Sequence, residues 1–172
     1  MRPESIPYHA AVEALLIRAN LPVADLHARA GLQWFGVRRG EPLIGVVGVE
    51  VYGAVGLLRS LAVEEAYRRS GLGRDLVERA KSWAARHGIE ALYLLTTTAA
   101  GFFARRGYQA IPRSEAPAAI AGTPQFVGLC PASSTFMRKK LAADQVAGSD
   151  PEGVDARKFP RARSAPLTEQ SR

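Results

Sequence analysis

Apolar positions recur at two different periods along this chain, and the switches between them mark out its elements. From Val12 to Ala19 the apolar residues Val12, Leu15, Leu16 and Ala19 share one helical face, and Asn20 with Pro22 ends the run. Val23, Leu26 and Ala30 repeat the helical spacing, with Gly31 placed to close a second short helix. Gln33 to Val37 is aromatic and β-branched, Arg39-Gly40-Glu41-Pro42 is a turn tetrad, and Leu43 to Tyr52 resumes as a strand. This pattern predicts a hairpin. Because Leu43 to Val51 is almost continuously apolar, the second strand is expected to be covered on both faces, and a carboxylate there, Glu50, requires a reason. Gly53 then turns the chain into a strand over Ala54 to Val63 that contains Arg59 and Ser60.

After two glycines, Gly71 and Gly73, the period returns to helical. Leu72, Leu76, Ala80 and Ala84 are spaced by four, Val77 and Trp83 widen the stripe, and Gly88 caps the end. Ala91 to Leu95 reads as a strand, so strand, four-turn helix and strand form a right-handed crossover between parallel strands. A short helix with Phe102 and Phe103 stops at Gly107, and Tyr108 to Ile111 is extended. Pro112 to Pro131 reads as a loop with a short helix near Ala116 to Gly122, and Ser134 to Lys139 as a final strand. From residue 142 onward hydrophobic periodicity is gone, which predicts one α/β domain over 1–141 and a disordered tail over 142–172.

Composition narrows the function classes. The formal charge of the 172 residues is +7, which invites a nucleic-acid reading, but the basic residues are scattered except for Arg68, Arg69 and Arg74, and no basic helix face or stacking-aromatic array supports it. A single cysteine, Cys130, excludes an internal disulfide and a metal site of several thiolates. The absence of an apolar signal core and of a long apolar run leads us to expect a cytoplasmic protein with no membrane partner. A terminal strand and an exposed sheet edge permit a homodimer without requiring one.

The stretch Leu57 to Arg74, LLRSLAVEEAYRRSGLGR, joins a strand to a helix through a glycine turn rich in arginine, the layout of an anion cradle. A P-loop needs Lys and then Ser or Thr after its last glycine, whereas Arg74-Asp75 follows Gly73. A dinucleotide fingerprint needs a small residue where Leu76 stands. What remains, Arg68-x-x-Gly71-x-Gly73 after a strand ending Leu61-Ala62-Val63, resembles the pyrophosphate motif of the GNAT superfamily of N-acyltransferases. The order of elements from about Val12 to Lys140 is similar as well. The resemblance implies a mixed α/β sheet with splayed strands and flanking helices, and acetyl-CoA as cofactor. In that family the strand before the motif bulges, and its free backbone groups pair with the pantetheine arm. By resemblance those groups belong to Leu61, Ala62 and Val63, while Arg68 and the N–H groups of Arg69, Ser70, Gly71, Leu72, Gly73 and Arg74 hold the pyrophosphate. Thr96 stands where the family often has Asn. Phe103 stands where the family often has the tyrosine that protonates the departing thiolate, and it has no proton to give.

Direct acetyl transfer needs a neutral amine, a polarised thioester carbonyl and a route for the thiolate. Glu50 is the candidate base, against the alternative of a strand-end glutamate. Arg59 either pairs with Glu50 or clamps an acceptor carboxylate, since an arginine inside a core strand is costly unless paired. Ser60 is a candidate proton relay or a packing residue. Tyr52 and Tyr93 are candidate acids or core aromatics. No histidine motif lies near Cys130 to activate it as a nucleophile. The runs LLRSLAV, YLLTTTAAGFFARRGY and FVGLCPASS also resemble acetyltransferases found with arsenic-resistance genes, which implies a small anionic amino-acid-like acceptor. The missing tyrosine keeps a second reading open, a non-catalytic acyl-CoA-binding regulator.

Overall fold

The computed structural model describes residues 1–28 and 31–142. Its elements in chain order are β1 (Glu4–Ile6), α1 (Ala10–Arg18), β2 (Leu32–Arg38), β3 (Leu43–Tyr52), β4 (Val55–Val63), α2 (Leu72–Arg86), β5 (Ala91–Thr96), α3 (Ala100–Ala104), β6 (Gln109–Ala110), α4 (Ala118–Ala121) and β7 (Thr135–Lys140). The strands form one sheet in the order β1-β2-β3-β4-β5-β7-β6. Among the described strands only β4 and β5 run parallel, and α2 is the crossover between them.

Local chemistry sets the ends of these elements. The His9 ring nitrogen Nδ1 accepts the Ala11 N–H at 3.2 Å and caps α1, which stops where Asn20 takes a φ of 55°. The predicted hairpin forms with Arg39 N–H donating to the Pro42 carbonyl at 3.0 Å. At the far end of α2 the His87 ring stacks on Trp83 with centroids 4.2 Å apart, and Gly88 follows with a φ of 76°. His87 thus completes the helix end.

The sheet is packed on both faces, which accounts for the continuous apolar run of β3. On one face α2 brings Leu76, Val77, Ala80 and Ala84 against Phe35, Val47, Val49, Leu58 and Leu92. On the other, α1 brings Val12, Leu15 and Leu16 against Trp34, Val46 and Ala62. A third group, Leu57, Tyr93, Ile120 and Phe136, anchors the segment between β6 and β7. Burial of this kind is the dominant favourable term in folding.

Three expectations change. Strand β1 escaped prediction because its three residues sit at the sheet edge, none of them buried, and carry no alternation. The second helix is a 3₁₀ turn over Leu26–Ala28 among the described residues, while Ala30 lies outside them. Between β6 and β7 the chain also forms a 3₁₀ turn, Arg113–Glu115, and a π turn, Gln125–Leu129, beside the expected short helix. The reading of the tail lies outside the described residues from 143 on. Among the described residues no helix is long and apolar enough to cross a membrane, and no cluster of three or more His, Cys, Asp or Glu could hold a metal.

Candidate active site

Strands β4 and β5 pair over only three positions, Val55–Leu57 against Ala91–Tyr93. Beyond Leu57 they part: β4 stays with β3 and β5 stays with β7 up to Thr96. A cleft of about 450 Å³ opens between them, walled by Leu58 to Leu61, by Leu94 to Ala99 and by Phe103. Its other wall is Asn20, Leu21, Pro22, Gln125, Leu129, Cys130, Pro131 and Ser134. The β4 side of the opening is a bulge. Gly48 faces Arg59 and Val46 faces Ala62, so Ser60 and Leu61 together stand opposite Val47. Ser60 takes a φ of 56°, a conformation worth about 1–2 kcal/mol of strain in a residue with a side chain. Such strain is retained where the fold over-determines it, and functional sites are its usual location.

The chain leaving β4 makes a 3₁₀ turn at Glu65–Tyr67, passes Arg69 with a φ of 65° and Gly71 with a φ of 90°, and enters α2. Gly71 is the helix N-cap and supplies no side chain, so the first-turn N–H groups of α2 have no cap from it. Side chains around the turn hold it in shape. Ser70 Oγ donates to the Tyr67 carbonyl at 2.6 Å and Arg68 Nε to the Val63 carbonyl at 3.3 Å. The Phe102 ring packs under Gly73, where a β-carbon would lie 3.6 Å from it. Arg106 in turn lies 3.5 Å over the Phe102 ring. Burial lowers the Arg106 pKa, and the neighbouring Arg105 and Arg74 lower it further. Arg68, Arg69 and Arg74 thus stand at the helix's positive end, Arg74 Nε donating to Asp75 Oδ1 at 3.0 Å, and such an end attracts anions.

Behind the bulge lies a buried ionic network. Arg59 Nη1 donates to Glu50 Oε1 at 2.5 Å and to Asp25 Oδ2 at 2.6 Å, and Nη2 donates to Asp25 Oδ1 at 2.7 Å. Arg59 Nε reaches Ser60 Oγ at 3.3 Å, and Tyr52 Oη donates to Glu50 Oε2 at 2.5 Å. The Arg59 side chain is 1% exposed. Burial alone would lower its pKa, but the Asp25 hydrogen bond with the field and hydrogen bond of Glu50 outweighs that and holds it above the ordinary value.

These positions revise several expectations. Leu61, Ser60, Thr96 and Phe103 all line the cleft. Thr96 Oγ1 accepts the Ala99 N–H at 3.0 Å and so also fastens the turn into α3. Ala62 turns its side chain under α1, leaving only its backbone for a ligand, and the Val63 carbonyl is engaged by Arg68. Of the two alternatives for Arg59, pairing is what the structure contains, because a strand guanidinium this buried requires counter-charge. Glu50 and Tyr52 are not part of the cleft wall, and the two Glu50 oxygens accept hydrogen bonds from Arg59 and Tyr52. Tyr93 stacks on Phe136 at 5.6 Å as a core aromatic. Sequence reasoning missed Asp25, Arg106 and Ser134. The only sequence signal for Asp25 was the need of Arg59 for a partner.

Comparison with known proteins agrees with this geometry. Residues 4–109 match the model of the acetyltransferase (GNAT) family. An uncharacterized N-acetyltransferase of Chlorobaculum tepidum is 36% identical over 90 residues, 52% of this chain and 51% of that protein. The amino-acid acetyltransferase of Pseudomonas aeruginosa is 39% identical over 71 residues, 41% of this chain and 16% of the relative. The chain thus spans about half or less of these relatives. Among solved structures, an N-acetylglutamate synthase from Neisseria gonorrhoeae complexed with coenzyme A and N-acetyl-glutamate superposes with a TM-score of 0.68 at 18% identity, over 83% of this chain and 36% of the other. A GNAT-family acetyltransferase from Staphylococcus aureus gives 0.64 at 16% identity, over 81% and 99%. With the family model covering more than half of its residues, the chain belongs to the acetyltransferase (GNAT) family.

Proposed function

We propose that the β4–β5 cleft holds acetyl-CoA and that the protein transfers its acetyl group directly to the amine of a small, anionic, amino-acid-like acceptor. The observation that carries this reading is the conjunction of a splayed, bulged strand with an uncapped, arginine-rich helix N-terminus at its end. A thioester arm needs exposed backbone to lie against, and a pyrophosphate needs N–H donors at a positive pole. The chain supplies both within Leu61 to Arg74. Arg69 to Arg74 would hold the pyrophosphate with Arg68 beside them, while Leu61 to Val63, Thr96 and Phe103 would flank the arm. When bound, acetyl-CoA supplies an activated acyl group on a thiol leaving group.

The acceptor enters from the wall formed by Asn20 to Pro22 and Leu129 to Pro131. Ser60 stands at the junction of the two halves and orients the amine. Glu50 acts at one remove, holding Arg59 and through it Ser60, so its role is positioning. Burial and the field of Asp25 push the Cys130 thiol pKa up, while the fields of Arg59 and Arg113 pull it down. The match to amino-acid acetyltransferases supports an acceptor with an anionic end. Glutamate-like amino acids, including phosphinate and arsenical analogues of the kind met by arsenic-resistance acetyltransferases, fit this description.

The test is a thiol-release screen with acetyl-CoA against amino acids and their phosphinate and arsenical analogues. The reading predicts one CoA thiol released per acetylated amine, with anionic side chains preferred over neutral ones of the same length. Binding of acetyl-CoA with no release above hydrolysis for any amine would favour the non-catalytic regulator.

A further inference from the structure

With Phe103 in the cleft, the departing sulfur needs a hydrogen-bond donor from elsewhere, and the hydroxyls and thiol that line the cleft can be compared. Ser60 Oγ receives Arg59 Nε, Thr96 Oγ1 receives the Ala99 N–H, and the Cys130 thiol donates to Gln125 Oε1 at 3.3 Å. Thr97 and Thr98 are exposed to solvent. Ser134 differs from all of these. It is 6% exposed, and its Oγ is buried with no hydrogen-bond partner. Leaving a buried hydroxyl unsatisfied is unfavourable, so a partner supplied by a ligand is the physical reason to keep one there.

Its place in the fold fits that role. The Ser134 N–H donates to the Pro131 carbonyl at 2.9 Å, a turn that sets the residue just ahead of β7. The next residue, Thr135, pairs with Thr96 at the end of β5. Ser134 therefore stands just ahead of β7, beside the end of β5, among the residues that wall the cleft together with the Ser60–Leu61 bulge.

Resting on the acetyl-CoA reading of the cleft, we propose that Ser134 is a catalytic residue whose Oγ–H donates a hydrogen bond to the sulfur of the departing CoA. As the C–N bond forms and the C–S bond breaks, the sulfur leaves with the electron pair. The proton shed by the attacking nitrogen ends on that sulfur. Ser134 lends its hydroxyl proton to the developing thiolate and keeps it at the end of the step, so the products are the amide and CoA thiol, with the serine unchanged. A hydrogen bond made only as charge develops on sulfur stabilises the transition state more than the bound thioester.

The experiment needs no acceptor. CoA bound to wild type and to Ser134→Ala is titrated by the ultraviolet absorbance of its thiolate, alongside the melting temperature of both proteins without ligand. The proposal expects the bound thiol to titrate about 1 unit higher in the variant, the size of effect a hydrogen bond to a charged group has on a pKa. It also expects the ligand-free variant to melt at the same temperature or higher, because alanine removes an unsatisfied hydroxyl. Identical thiol titrations would overturn it. So would a variant that loses its fold, since Ser134 would then be structural. Failure of wild type to bind CoA would instead reject the cofactor reading, and this proposal with it.

Discussion

Arg59→Met is expected to destabilise the fold by about 3–5 kcal/mol, the cost of stranding buried charge when one partner of an ion pair is removed. At this chain length that corresponds to a fall in melting temperature of roughly 6 to 20 °C. Methionine keeps much of the side-chain volume, so the loss comes from Asp25 and Glu50, which would face each other without the guanidinium that now donates three hydrogen bonds to them. The pH dependence has a definite sign. Stranded beside each other, the two carboxylates repel when charged, so the deficit against wild type should shrink on acidification and be fully developed at neutral pH. Adding Asp25→Asn and Glu50→Gln should recover much of it. Thermal melts across pH check all three statements, and a variant as stable as wild type at neutral pH would remove the network from the account.

Gly71→Val should leave a folded protein that binds acetyl-CoA roughly 10- to 100-fold more weakly, the loss of about 1.5–3 kcal/mol expected for one charge-assisted hydrogen bond. A β-branched residue is strongly disfavoured at the Gly71 φ of 90°. The backbone must rotate to relieve it, and the N–H groups of Leu72 to Arg74 then point away from the phosphates. Gly88→Val is the matched control at the other end of α2. Its φ of 76° imposes similar strain, and no atom lies within 4 Å of the added β-carbon. Titration calorimetry should show the control less stable yet with wild-type affinity. Equal losses of affinity in both variants would mean that strain alone, and not the cradle, sets binding.

The elements that bury a full face were readable from periodicity. Strands β2, β3 and β4 and helix α2 follow from it because burial on both sides of the sheet leaves long apolar signatures. Three-residue β1 pairs with β2 through its backbone alone, and such pairing has no composition. The 3₁₀ turn at Leu26–Ala28 shows the same limit, since a short run of helical spacing cannot distinguish one turn from three. At the site, the cradle was legible because its glycines and arginines are contiguous. The splay was not derivable from the residues, because it depends on where β5 stops pairing with β4 and is held by β7.

The ionic network divides in the same way. A costly arginine in a strand could be read as needing a carboxylate, and Glu50, nine residues away, was the visible one. Asp25 is 34 residues away in the loop after α1, and only the tertiary fold brings it to Arg59. In the fold Arg59 is paired with both Asp25 and Glu50. Ser134 was unremarkable in sequence, and its interest comes entirely from being buried at the cleft without a partner.

Amide hydrogen exchange with and without acetyl-CoA reads directly where the ligand lies. Slowed exchange is expected at two separate places, the free edge of β4 over Leu61 to Val63 and the turn into α2 over Arg69 to Arg74. Binding that leaves both segments unprotected, or that protects residues elsewhere, would contradict it.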